Sequence, residues 1–536
     1  MPSASPASAP VASQPARVSP ALWLGLVCVL GAAHMAVYGG PFDDSYISYR
    51  YARNVAEGLG YVYNPGERVE GFTCFGWVTL LAGAARLGLP LPVAAVVISA
   101  ACGLLVLVLT ARLALSWAPG CKPWPLAPAL VAANGSWAYF AVTGMETAPA
   151  NALLLGALIL CVRRERPALA GLLFGAATLM RPEAVGYFAL TAGVLALDRP
   201  SRRGLRWLLG AGALVLIPFM LWRWRYFGHL LPNTYYAKVG GGGGLLLAGG
   251  VHLEKFVIAH AFWVVPIALG WLVRRRGWDL GARLFVAWLV GAVVNVLAVG
   301  GDTFAFFRFF LPVVPVGAVI VAAAVHELGG RFAARAVAPA TAAALLVVTA
   351  AAELMPLPTF DGPATPSNYR QVTGMARIPD DHLAIARWLR ERVPPSTLLA
   401  INPAGIIPYE TGFPTIDMLG LTDAHIAQRP LRVGSGARGH EKHDAAYVLS
   451  RQPDLILPGL PSLSNRPLQP EDLARFFGRW FEFLPGDREL FSDRRFSRDY
   501  LGLSVSVEPG RYLTLFVNRR SYQRLFGNLQ ASRTGS

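Results

Sequence analysis

Two adjacent acids open the polar stretch that follows the first apolar run: Pro41-Phe42-Asp43-Asp44-Ser45-Tyr46-Ile47-Ser48-Tyr49-Arg50-Tyr51-Ala52-Arg53-Asn54. A carboxylate beside a long apolar segment is costly and tends to be kept for a task, and drawing a proton from an attacking hydroxyl is a task that suits it. Either Asp43 or Asp44 fits that role; its neighbour is left to cap a helix, hold an acceptor or ligate a divalent cation. If a helix begins here, its i, i+4 spacing groups Tyr46, Arg50 and Asn54 on one face and Ile47, Tyr51 and Val55 on another, an amphipathic segment expected to lie along a membrane surface. The turn signal Asn64-Pro65-Gly66 then brings Glu67 and Glu70 among aromatic residues such as Tyr63. Rings cover the apolar face of a sugar while carboxylates accept from its hydroxyls. Glu67 reads as part of a solvated turn, and Glu70, framed by Val69 and Gly71, is the sugar contact.

The elements that position these groups follow from composition. Hydrophobic residues make up 54% of the 536 and charged residues only 15%, against roughly 25% charged in an ordinary soluble domain, so most of the chain belongs in lipid. Apolar residues are dense to about Leu354 and then diluted by Arg, Asp and Pro, which divides the chain into a transmembrane part, residues 21–355, with the catalytic loop at 41–76, and a soluble α/β domain, residues 356–536. Residues 1–20, mostly Ala, Pro, Ser and Val, read as a disordered cytoplasmic tail. Basic loops stay cytoplasmic: Arg163, Arg164 and Arg166; Arg199, Arg202, Arg203 and Arg206; Arg274 to Arg276 with Arg283; Arg331 and Arg335. The apolar runs between them go out and return, as at 168–180 and 184–197. Every polar motif then falls on the outward face, and the count comes to about eleven spans. Residues 77–89, short and ended by Pro90, read as a re-entrant or interfacial element.

These motifs together resemble the mycobacterial terminal arabinofuranosyltransferases and their bacterial relatives. Residues 43–54 and the Gly60 to Thr73 segment are similar to that family's first loop. Thr143-Gly144-Met145-Glu146-Thr147, Arg181-Pro182-Glu183, Trp222 to Tyr226 leading into Leu231-Pro232-Asn233-Thr234-Tyr235-Tyr236-Ala237-Lys238, Gly301-Asp302 with Arg308-Phe309, and the tail's 415–427 resemble later motifs in the same order. The set covers Pro41 to His443 and departs from the family pattern at Cys74-Phe75-Gly76, before Trp77. The resemblance implies a polytopic α-helical, GT-C-type glycosyltransferase of the cell membrane. It implies transfer of a sugar, arabinofuranose, from a polyprenyl-phosphate donor to a cell-envelope glycan or glycolipid on the extracytoplasmic side, and puts Asp43 and Asp44 at the catalytic position.

A departing lipid phosphate gains negative charge and needs cations. Arg50, Arg181, His229, Lys238 and Arg308 are the outward candidates, arginine being suited to two-pronged contact; the bland alternative is that Arg181 and Arg308 merely pair with Glu183 and Asp302. Sugar and acceptor contacts fall to Tyr63, Glu70, Trp77, Glu146, Glu183, Asn233, Tyr235 and Asp302, joined by Asp417, Asp423 and His425 of the tail. The tail's Asp and His residues fit no compact metal motif; a divalent cation beside Asp43 and Asp44 is the one cofactor the chemistry would accept. The net charge of +16 is spread without a basic run, which excludes nucleic acid as partner. The five cysteines include no CxxC pair, which excludes a zinc or disulfide framework. Two rivals remain: transfer of mannose or an aminosugar onto protein or lipopolysaccharide, and a lipid or sugar transporter, which would carry its charges at mid-membrane depth rather than at one mouth.

Overall fold

The computed structural model describes residues 19–119, 125–238, 243–302, 304, 306–331, 337–352, 354–359, 362–375, 377–431, 439–468 and 484–527. Most of the expected N-terminal tail, 1–18, lies outside the described residues, as does Arg335. The first helices are α1 (Pro20–Ala36), α2 (Ser45–Ala56), α3 (Phe75–Arg86) and α4 (Leu91–Trp117). There follow α5 (Leu126–Ala132), α6 (Gly135–Phe140), α7 (Thr147–Arg163), α8 (Pro167–Met180) and α9 (Ala184–Leu197). After these come α10 (Arg202–Phe227), α11 (Asn233–Lys238), α12 (Gly243–Ala259), α13 (Val264–Arg276), α14 (Leu280–Val299), α15 (Val314–Arg331) and α16 (Val337–Ala351).

Prolines and small polar caps start several of these helices, as Pro20 behind the Ser19 cap does for α1 and Asp279, accepting from the Ala282 N–H, does for α14. Among the described residues α4, α10 with the short turn before it, and α14 are long and apolar enough to cross a membrane. The pair α12 and α13, bent by 73°, passes the same test together, and six further apolar helices run 10–17 residues. At 27 residues, α4 rises about 40 Å, more than the roughly 30 Å of a hydrocarbon core. The helices pack through small residues: a Cβ on Gly171 of α8 would stand 2.1 Å from the Leu208 carbonyl of α10, so only glycine allows this approach.

Beyond α16 a hairpin of β1 (Leu357–Thr359) and β2 (Gly362–Thr365) leads to α17 (Asn368–Met375) and α18 (Arg377–Arg392). There follow β3 (Leu399–Ile401), α19 (Ile406–Thr411), β4 (Thr415–Asp417), α20 (Ala424–Gln428), α21 (Ala445–Ser450) and β5 (Leu455–Leu457), with the long hairpin β6 (Tyr500–Glu508) and β7 (Arg511–Asn518) near the end. Strands β3 to β7 form a sheet of order β4-β3-β5-β7-β6, in which β4 and β5 both run parallel to β3 and the β6–β7 hairpin joins antiparallel. Helix α18 closes one face with Ile385, Ala386 and Leu389. The chain leaves β3 for β4 on one side and crosses back to β5 on the other, which puts the crevice that open α/β sheets use for binding outside the carboxyl end of β3.

The structure corrects one local expectation. Helix α2 is not an amphipathic segment lying on a surface: Tyr46, Ile47, Tyr49, Arg50 and Tyr51 are all buried, because α3 covers one side and α19 another. Its polar face is satisfied by protein, not by headgroups.

Candidate active site

Asp43 and Asp44 end the loop between α1 and α2. Asp44 occupies the N-cap position of α2, yet its side chain makes no capping bond, so capping of α2 does not account for it. Asp43 is buried and points into the crevice at the carboxyl end of β3. Its Oδ1 accepts from His382 Nδ1 of α18 at 2.8 Å and from the Ile406 N–H at 3.0 Å. Gly405 permits this, since a Cβ there would lie 2.1 Å from the Asp43 carbonyl oxygen.

Asp44 is half-buried, and its side chain makes no hydrogen bond or ion pair among the described residues. Burial raises its carboxyl above the ordinary range; Lys238 works against that rise, Asp43 adds to it, and Arg308 and His440 lower it. Lys238, the last residue of α11, has its pKa lowered by burial and raised again by Asp44. The residue is exposed to solvent all the same.

Around this pair stand two arginine clusters. Arg308 meets Asp302 at 2.6 Å. Arg181, between α8 and α9, meets Glu146 at 2.8 Å and Glu183 beside it. Both guanidinium carbons lie 5.4 Å from the centroid of the Phe309 ring, which brings the two clusters side by side. Four loops that are far apart in sequence therefore converge on Asp44. The cationic side holds Lys238 and Arg308, and the carboxylates of Glu146, Glu183 and Asp302 fix the arginines in place.

The other expected site residues lie elsewhere, and the contacts of several correct the role expected of them. Arg50 is spent on protein: it donates to the carbonyls of Tyr63, Pro408 and Phe413, to Asn64 and to Thr415. Glu70 is not open to a sugar, because Arg223 of α10 takes both its oxygens at 2.7 and 2.9 Å in a buried pair. Tyr63 donates to the Ala404 carbonyl and Asn233 to those of Gly420, Leu421 and Asp423, so both bind the membrane loops to the tail. Asp417 closes its own turn by accepting from the Leu419 and Thr422 amides, and burial pushes its carboxyl up to about 6. Asp423 caps α20 and accepts from the Tyr447 hydroxyl. His425 stacks on Tyr447 at 4.0 Å and bonds Asp444. Trp77 is fully buried, while Tyr235 and His229 are exposed against Tyr236.

Among the described residues no group of three His, Cys, Asp or Glu side chains is placed to hold a metal ion. The charges that act on Asp44 are mixed: Lys238, Arg308 and His440 favour its ionised form and Asp43 opposes it. Two functional contacts escaped the sequence, His382 on Asp43 and Arg223 on Glu70. Each is a single residue hundreds or scores of positions from its partner, without a local motif to mark it.

Apolar helices of membrane length, with a carboxylate and cation cluster carried on their loops against a mixed sheet, define the class of molecule. The fold is that of ArnT from Cupriavidus metallidurans, whose crystal structure bound to undecaprenyl phosphate matches with a TM-score of 0.56 at 12% identity over 92% of this chain and 97% of that one. The apo structure of the same protein matches equally well. In sequence the chain is 30% identical over 266 residues to a terminal beta-(1->2)-arabinofuranosyltransferase of Mycobacterium tuberculosis, the kind of protein the motifs resemble. That match covers 44% of this chain and 41% of the relative, so the chain spans about two fifths of the relative's length. Residues 368–502 match the model of a domain of unknown function (DUF8728).

Proposed function

We propose that this chain is an integral membrane glycosyltransferase of GT-C type that moves a sugar, arabinofuranose, from a polyprenyl-phosphate carrier to a cell-envelope glycan. The observation that carries this reading is the half-buried Asp44, its side chain unpaired among the described residues, beside the cations Lys238 and Arg308. A carboxylate with a raised pKa takes the proton of an attacking hydroxyl, and the adjacent cations stabilise the phosphate as the glycosidic bond breaks. Asp43, clasped by His382 and the Ile406 amide, keeps the loop seated. Glu146, Glu183 and Asp302 hold the arginines and present oxygens to sugar hydroxyls. In this reading about eleven spans in residues 21–355 hold the carrier's prenyl chain among membrane lipids, the polar loops face away from the cytoplasm, and residues 356–536 form the extracytoplasmic domain that receives the acceptor.

The test is transfer of labelled sugar from synthetic polyprenyl-phosphate arabinofuranose, with the mannose analogue alongside, by purified protein and its Asp44→Asn variant. The variant folds normally and loses roughly 10²–10⁴-fold in turnover, the range for a positioned general base. Turnover with the mannose donor alone replaces arabinose by another lipid-linked sugar. Equal turnover in wild type and Asp44→Asn removes Asp44 from the chemistry.

A further inference from the structure

Among the described residues the His382 side chain has one polar partner, Asp43. It is fully buried on the inner face of α18, in line with Ile385, Ala386 and Leu389 of the same helix. The bond to Asp43 Oδ1 runs through Nδ1, while Nε2 is buried without a partner among the described residues. A donated Nδ1–H to an ionised carboxylate leaves Nε2 as a bare lone pair, the form of the ring that costs least to bury unpaired. Asp43 Oδ1 receives both of its donors, His382 and the Ile406 amide, from the C-terminal region, and Oδ2 accepts from none among the described residues. The acid loop of the helical part is therefore locked through one oxygen to the sheet crevice, and Asp44 is the next residue along.

We propose that His382 is a positioning residue for the sugar transfer: by donating to Asp43 it holds the Asp43-Asp44 peptide in register with Lys238 and Arg308, so that the C-terminal region sets the geometry of the catalytic loop. The inference rests on the glycosyltransferase reading above. It concerns hydrogen bonding rather than volume, so donor and filler variants separate it from a packing role. Asparagine carries Nδ2–H₂ near the place of Nδ1 and can still donate; leucine fills the pocket without a donor.

The experiment compares full-length His382→Asn and His382→Leu with wild type in lipid nanodiscs, reading steady-state transfer and amide hydrogen exchange in residues 41–50 and 402–411. The Leu variant loses roughly 10–100-fold in kcat, the range for groups that orient a reacting side chain, with the donor KM little changed, and exchanges faster in both segments. The Asn variant recovers most of the kcat and the protection. Equal kcat in the two variants, or exchange in Leu as slow as in wild type, overturns the proposal. If wild type transfers sugar from neither donor, the glycosyltransferase reading fails separately and the exchange comparison still decides whether the His382 bond holds the loop.

Discussion

Arg50 offers the sharpest test of how the structure redistributes roles. Its guanidinium is buried, sits 4.2 Å over the Tyr63 ring, and carries five hydrogen bonds, three of them to backbone carbonyls of Tyr63, Pro408 and Phe413. No carboxylate pairs with it among the described residues, and burial lowers its pKa. Arg50→Met removes a buried charge, which relieves a desolvation cost, but strands three carbonyls at about 1–3 kcal/mol each. Taking the relief into account, the net loss is ~4 kcal/mol. For a unit of 150–250 residues ~1 kcal/mol moves the midpoint by about 2–4 °C, so thermal unfolding of the C-terminal region should come roughly 8–16 °C earlier. The assay is thermal unfolding of the detergent-solubilised protein with limited proteolysis at 404–415, which should be cut sooner in the variant. Arg50→Lys keeps the charge but not the forked donors and falls between the two. An unchanged midpoint together with a raised donor KM would return Arg50 to phosphate binding and refute the tether.

Two further predictions concern pH. Since Lys238 lowers the Asp44 pKa, Lys238→Gln moves the acid limb of the kcat/KM profile to higher pH as well as weakening turnover; a limb that stays put or moves down disconnects the two groups. Asp417 has a folded pKa of about 6 against 3.8 for the free carboxyl. A raised folded value means that the stabilisation is complete below the unfolded pKa and is lost as pH rises through the folded one. Unfolding midpoints of wild type should therefore decline between pH 4 and 6.5 more than those of Asp417→Asn, and parallel declines would show that the buried acid is not the cause.

Local order in the chain was enough to determine the apolar helices, since composition and turn residues act over a few positions. Residues 168–180 and 184–197 read as an out-and-back pair and are found as α8 (Pro167–Met180) and α9 (Ala184–Leu197). The motifs Gly144 to Thr147, Arg181 to Glu183, Leu231 to Lys238 and Asp302 with Arg308 were legible for the same reason, and the bland pairing of Arg181 with Glu183 and Arg308 with Asp302 is also present. Local order could not say which polar groups find partners across the chain. Arg50, Glu70, Asn233 and Asp417 have the residue types of a sugar site and are consumed by contacts at sequence distances of 153 or more, or by a turn of their own. His382, 339 positions from Asp43, has no pattern around it that announces the bond. Sequence thus decided which segments could enter lipid and which side chains could do chemistry; the tertiary structure decided, by satisfying most of those side chains and leaving that of Asp44 unpaired among the described residues, which of them remain free to act.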